Sequence, residues 1–279
     1  MTTVELQETR PARTVVKKVT FGRVLRSEWT KFRTLRSSWI TLGLGLVLLG
    51  VFGAVASFTY SPDAAAGMGG PPGADTGSSD AVSLALTGLS FASLVVGVLG
   101  VLLTAGEYST GMIRSTLAAV PKRLPVLWAK GLVAGISVFT VTTVGAFAAF
   151  LVGRIGLDGE SIALSLTDDG VVRSLVGAGL YLGLVAMFGV GIGALVRSPA
   201  GGIAALAGIL LILPGLASLL PDSWYDTLSP YFPSNAGGAV YALTESSGSL
   251  SPGAGIAVFA GWVVLMFAAA ALRLKRTDA

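Results

Sequence analysis

The sequence predicts an all-α integral membrane protein with six transmembrane helices, and three observations carry that prediction: composition, charge-free runs and a one-sided distribution of cations. Of 279 residues, 53% are hydrophobic and only 12% charged, with a mean hydropathy of +0.77; an average soluble domain has about 25% charged residues. Runs without Asp, Glu, Lys or Arg extend over Ser37–Pro62, Ala81–Gly106, Gly131–Gly153, Ser174–Val196, Ser198–Pro221 and Ser246–Leu272. Each is long enough for a helix to cross a hydrocarbon core about 30 Å thick, which takes about 20 residues. A membrane barrel would instead need alternation of polar and apolar residues over segments of about 10.

Ahead of the first run, residues 1–18 form a polar tail predicted to be flexible, and 19–38 read as an amphipathic helix. Phe21, Val24, Leu25, Trp29, Phe32, Leu35 and Trp39 recur at helical spacing, Arg23, Arg26, Lys31, Arg33 and Arg36 cover most of the remaining surface, and Thr20 stands where a cap belongs. Such a helix lies in the membrane interface, its apolar side in lipid and its basic side toward headgroups or a partner. Glu28, beside the apolar stripe, is the residue that a simple lipid anchor explains least. Residues 39–272 then form one six-helix membrane domain, with the fourth and fifth runs divided only by Arg197-Ser198-Pro199. Proline disfavours helix in the residue before it, so a turn is expected there. Residues 273–279 form a second short tail.

Seventeen of the 19 Lys and Arg residues fall before Ser37, between Glu107 and Lys130, at Arg197 or in the Arg273–Arg276 segment. The alternate loops hold only Arg154 and Arg173, against ten of the 15 acids. The positive-inside rule therefore predicts cytosolic termini in the cytoplasmic membrane, and an even number of spans agrees in requiring both ends on one side. The first apolar run follows a long polar tail and exceeds a signal core in length, so it reads as a retained span.

Much chemistry is excluded by residue type. There is no Cys and no His, hence no disulfide, no zinc site on those ligands and no Ser/His or Cys/His dyad. No G-x-x-x-x-G-K-[ST] phosphate loop occurs. Asp168 and Asp169 form an acidic pair in an acid-rich loop without a third spaced carboxylate, so they read as solvated rather than metal-binding. No catalytic or metal-ligating residue is assigned. The charge-free interiors also lack the ionisable group that ion-coupled transporters place in the bilayer, so any energy source is expected in another subunit.

One charged interruption stands apart: Gly106-Glu-Tyr-Ser-Thr-Gly-Met-Ile-Arg114, continuing through Pro121, Arg123 and Pro125 to Lys130. Ser109 or Thr110 is placed to cap a short helix through Leu117, Pro121 to stop it, and Pro125 to open the third span, where its missing N–H costs nothing. Glu107 and Arg114, two turns apart, share a face if the helix is continuous. A short helix clamped between two spans moves with both.

With Glu107-Tyr108-x-x-Gly111-x-x-Arg114, then Pro121, Arg123 and Lys130, and with Arg26-Ser27-Glu28-Trp29-x-Lys31 before the first span, the chain from about Phe21 onward resembles the type 2 ATP-binding-cassette (ABC) permeases. The resemblance implies that Glu107, Tyr108, Gly111 and Arg114 belong to a cytosolic coupling helix docked on a separate ATPase, with Arg197, Ser198 and Pro199 as a lesser contact. It implies an assembly of two permease subunits, alike or different, with two ATPase subunits that bind the ATP and magnesium; this chain itself holds no cofactor. It further implies export by alternating access, and short re-entrant helices within Pro221–Pro252. Phe91, Leu219 and Leu220 line a substrate path by positional similarity. A hydrophobic or amphipathic cargo (drug, lipid or peptide) suits spans without charge. The partners expected are thus the ATPase, a second permease and membrane lipid, with no nucleic acid; the competing reading is a non-transporting scaffold that recruits a cytosolic protein.

The remaining features read plainly. Tyr60–Asp80, rich in Gly, Pro and Ala, is expected to be a flexible loop. Gly183, Gly189, Gly191 and Gly193 in the fourth run, with Gly201, Gly202 and Gly208 in the fifth, permit close helix contact, more readily within one subunit than across a dimer seam.

Overall fold

The computed structural model describes residues 20–61, 80–120, 123–244 and 248–276. The expected tail 1–18, the helix stop at Pro121 and most of the Tyr60–Asp80 loop lie outside them. Among the described residues every regular element is helical: α1 Phe21–Thr34, α2 Arg36–Phe58, α3 Ala81–Ala85, α4 Leu89–Ser109, α5 Met112–Ala119, α6 Leu124–Gly156, α7 Val171–Val196, α8 Pro199–Ala217, α9 Asp222–Leu228, α10 Pro233–Tyr241 and α11 Pro252–Arg276. Six of these, α2, α4, α6, α7, α8 and α11, are long and apolar enough to cross a membrane. The chain is a multi-pass membrane protein.

α7 is the central helix. Its most apolar stretch is 78% buried, against 22 to 56% for the other five, and it packs against α4, α6, α10 and α11. Glycine makes the closest of these contacts. A Cβ on Gly193 would lie 2.6 Å from the Val101 carbonyl oxygen; one on Gly189 would overlap the Gly97 carbonyl, and one on Gly100 would overlap that of Ala186. The α4 and α7 backbones therefore touch directly, the close approach that small residues permit in a membrane. Gly183 does the same toward the Gly135 carbonyl of α6, and Gly191 lets the Met266 and Phe267 side chains of α11 approach closely. The expectation of packing within one subunit holds for these four glycines, whereas Gly208 faces open space.

Several boundaries differ from the charge-free runs. The amphipathic segment is not continuous with the first span: Leu35 is extended (φ −79°, ψ 109°) and separates α1 from α2. Thr20 occupies the N-cap position of α1 without a side-chain cap bond. The second run is broken at Leu86–Gly88, after a short α3 capped by the Asp80 carboxylate on the Ser83 N–H (2.7 Å). There the α2 backbone comes so near that a Cβ on Gly88 would meet Leu49 Cα at 2.6 Å. The Arg197 turn forms as expected, with Arg197 left-handed (φ 61°), Ser198 capping α8 through the Gly201 N–H, and Pro199 at its start. Arg197 is the sole non-glycine positive φ among the described residues.

α8 divides into two halves. Its first half packs on α4 through Gly202 and the fully buried Leu206. A π-helical turn then runs over Gly208–Ile212, with Leu213 N–H bonding the Gly208 carbonyl. In its last residues and beyond it Leu211, Ile212, Leu216 and Leu219 are exposed, Leu219 by 80%. Pro221–Pro252 contains α9, a 3₁₀ turn at Ser229–Tyr231 and α10; Arg173 ties the end of α10 to α7 by donating to the Ala242 carbonyl at 2.7 Å.

Because backbone lies on the far side of Gly189 and Gly193, neither neighbour can yield. Gly189→Val or Gly193→Val is expected to lower the thermal midpoint of the detergent-purified protein, with a cost of about 1–3 kcal/mol or more. Gly43→Ala, which meets nothing within 4 Å, is expected to leave it unchanged. Equal midpoints for all three would remove the α4–α7 contact as a determinant of stability.

Candidate functional site

The charged residues singled out at two distant places in the sequence meet at one end of the helix bundle. α1 buries Val24, Glu28 and Phe32 and packs against α6, where Val126 and Ala129 form a small apolar cluster with Val24. That packing sets Glu28 beside Lys130. Lys130 Nζ donates to Glu28 Oε2 at 2.6 Å and to Glu107 Oε1 at 2.9 Å. Lys31 Nζ, one turn along α1, donates to Glu28 Oε1 at 2.8 Å, to Glu107 Oε1 at 3.0 Å and to Thr116 Oγ1 of α5 at 3.2 Å. Two lysines and two glutamates thus form a charge-balanced quartet joining α1, α4 and α6, with α5 attached through Thr116.

Burial makes the quartet consequential. Glu28, Glu107 and Lys130 are all 5% exposed or less, and a buried ion is tolerated only when paired and hydrogen-bonded. Lys31 is the outermost member, with 30% of its side chain exposed. Glu107 Oε2 has no hydrogen-bond partner, so this carboxylate keeps one acceptor in reserve. Burial pushes the Glu28 carboxyl up, but Lys130 and then Lys31 outweigh it and hold the group below its ordinary 4.5. Burial likewise lowers Lys31, yet Glu28 and Glu107 together raise it above its ordinary 10.5.

Sequence reasoning paired these residues differently. Glu107 does not share a helix face with Arg114. Gly111, left-handed at φ 74°, ends one helix and starts the next, so Glu107 is buried in α4 while Arg114 is exposed on α5. Neither Ser109 nor Thr110 caps α5; both hydroxyls bond back to the Gly106 carbonyl at 2.9 Å. Pro125 does open α6, but that helix begins at Leu124, so Lys130 lies inside it. Lys130, noted only as part of a motif, is the central member of the site. The signal available for it was a lone lysine at the head of an apolar run.

Tyr108 faces the Arg197 turn, with the guanidinium 5.0 Å from its ring centroid, a cation–π distance. The last turn of α4 and the turn between α7 and α8 are therefore in contact. Nearby, Arg273 donates to the Leu195 carbonyl and Arg123 to that of Leu274 at 3.2 Å, which ties the end of α11 to the same place. A cavity of about 20 Å³ lies among Thr104, Tyr108, Ile113, Arg123, Lys130 and Leu274; it is the size of a water rather than of a cargo.

Other predicted site residues lie elsewhere. Arg26 and Trp29 are exposed on α1, Trp29 stacking on Phe32 with centroids 6.3 Å apart. Phe91 is 44% exposed and stacks on Phe52 at 4.6 Å; Leu219 and Leu220 lie in the turn just after α8 and are exposed. These three do not converge on the quartet. Asp168 accepts from the Ser165 N–H at 2.7 Å in its own loop, and no group of three metal-ligating side chains occurs among the described residues.

Compared with protein-family models and with curated proteins, the chain matches none.

Lys130→Ala leaves two carboxylates with Lys31 alone, so it is expected to destabilise the protein by about 3–5 kcal/mol, measured as a fall in thermal midpoint; Lys31→Ala, at the open edge, is expected to cost less. The reverse ranking would refute the central place of Lys130. The pH dependence follows from the two shifts. The stabilisation by Glu28 is complete above 4.5 and is lost as pH falls through its lower folded value, whereas that by Lys31 is complete below 10.5 and fades above its raised one. Stability is expected to be insensitive to these two groups between those limits, and Glu28→Gln to remove part of the acid-side loss. An acid limb identical in wild type and Glu28→Gln would show that Glu28 does not carry it.

Proposed function

We propose that this chain is the membrane subunit of an ATP-driven exporter of the type 2 ABC class, energised by a separate ATPase subunit and acting in the cytoplasmic membrane with both termini cytosolic. The supporting observation is the ion quartet. It connects a short exposed helix, α5, to the two spans that flank it in sequence and to α1. A push on α5 therefore reaches α1, α4 and α6 at once, because separating α4 or α6 would leave a buried charge uncompensated and separating α1 would break two of the four ion pairs.

In this reading α5 is the coupling helix. Met112 is 44% exposed, and Met112, Arg114 and Ser115 present its free face to the ATPase, while Ile113 and Thr116 turn inward. Glu107 and Gly111 transmit the motion rather than meet the partner: the first through the quartet, the second by fixing the angle between α4 and α5. Tyr108 and Arg197 link the second loop, Arg197-Ser198-Pro199, to the first, so both contacts move together. Two such subunits, alike or different, enclose the path, and closure of two ATPases on ATP and magnesium drives alternating access. The cargo is hydrophobic or amphipathic, as the apolar spans favour, and α9 and α10 are re-entrant helices on the side opposite α5.

The chain has no cysteine, so Arg114→Cys creates a unique thiol on α5. Crosslinking from that position in the native membrane, followed by mass spectrometry, is expected to capture an ATPase with a phosphate-binding loop. Arg114→Ala is expected to lower ATP-dependent transport severalfold at unchanged membrane abundance. Repeated capture of other proteins without an ATPase would overturn the exporter reading and favour a scaffold.

A further inference from the structure

α1 presents a second functional face, independent of what the bundle transports. Its inward face is committed to Val24, Glu28 and Phe32. The adjoining strip carries Trp29, 44% exposed, flanked by the exposed Arg26 and Arg33. Arg26 and Arg33 are seven residues apart, two helical turns, and so project from the same side of α1. Arg36 follows immediately beyond the Leu35 break, at the first position of the apolar helix α2.

The level of this strip in a membrane is fixed by the protein itself. α2 is one of the six helices able to span, and Trp39 lies in its first turn, where the chain passes from polar to apolar sequence. Trp39 donates its indole N–H to the Arg33 carbonyl at 3.0 Å. Its ring meets Phe32 edge-on at 6.1 Å, and Phe32 in turn stacks on Trp29. The aromatic row ties Arg33 and Trp29 to the end of the spanning helix. Half-exposed tryptophans at a span end are characteristic of the headgroup level, with the ring in the acyl boundary and the N–H in the polar layer. Guanidiniums within a turn of that level are positioned for phosphate, which Arg engages through paired N–H donors.

We infer that Arg26, Arg33 and Arg36, with Trp29 and Trp39, form a binding site for the headgroup of an anionic phospholipid in the leaflet at the α1 end of the bundle. Charge complementarity selects the occupant: two exposed cations are on this strip and a third, Arg36, follows just past its end, while the nearest acid on α1, Glu28, is buried and neutralised by Lys31 and Lys130. A zwitterionic headgroup supplies the same phosphate but brings its own cation against the arginines. Anionic lipid is therefore preferred.

The test uses the full-length protein in mild detergent, equilibrated with equimolar phosphatidylglycerol and phosphatidylcholine, with retained lipid quantified by mass spectrometry. Wild type is expected to retain phosphatidylglycerol preferentially, and that preference to fall by roughly fivefold for each guanidinium removed, the factor one basic residue contributes at an anionic surface. Arg33→Gln and Arg26→Gln each lower it, Arg26→Gln/Arg33→Gln/Arg36→Gln abolishes it, and Lys275→Gln/Arg276→Gln, at the far end of α11, leaves it in place. The single variants keep the experiment decisive if the triple variant does not fold. An unchanged preference in the single variants, an equal loss in the Lys275/Arg276 variant, or displacement of the lipid by added inorganic phosphate would each overturn the inference.

Discussion

A buried lysine must find carboxylates, and the organisation of this protein at its charged end follows from that constraint. Lys130 sits inside a long apolar helix and is almost fully removed from solvent. It is accommodated because α1 folds back to supply Glu28 and α4 ends at the depth that supplies Glu107. Neither acid is stable there alone, and Lys31 completes the neutralisation. The result is a closed set of four side chains from three helices, in which each lysine meets both glutamates and losing any one leaves the remaining three with an unbalanced charge. Apolar packing at the same contact would hold the helices together, but it would tolerate sliding. Charges with short, directional hydrogen bonds specify one register.

How much of this was legible in the sequence differs by scale. The six apolar helices follow from charge-free runs because the cost of an unpaired ion in hydrocarbon is large and local. For α6 the charge-free run began only at Gly131, whereas the span opens at Pro125 as that proline signalled, so Lys130 is a paired, internal residue. Glu28 announced itself as an acid against an apolar stripe. Its partner, 102 residues away, had no comparable mark, because pairing across helices leaves no periodicity in either one.

Local breaks were less visible still. Leu35 and the Leu86–Gly88 interruption contain no proline, and the π turn at Gly208–Ile212 lies in ordinary apolar sequence. At Gly88 the cause is tertiary, the close approach of α2, and propensity along the chain cannot register it. Glycine roles were half legible. Those in α7 suggested close contact, but the matching Gly97 and Gly100 on α4 emerged only once the two backbones were seen to touch. The condition under which Glu107 and Arg114 would share a face, a continuous helix, is not met at Gly111, a residue whose left-handed conformation turns one element into two.

The π turn in α8 has a mechanical consequence. One extra residue in a turn shifts the hydrogen-bond ladder and rotates everything beyond it relative to everything before it. The early part of α8 is clasped by α4, whereas the later part stands largely uncovered. The discontinuity falls where anchored and unanchored segments meet, so the helix behaves as a beam fixed at one end with its compliance concentrated at a single joint. Its free end can take its bearing from whatever lies alongside, a neighbouring chain or the acyl tails of the bilayer, without straining the clamp below.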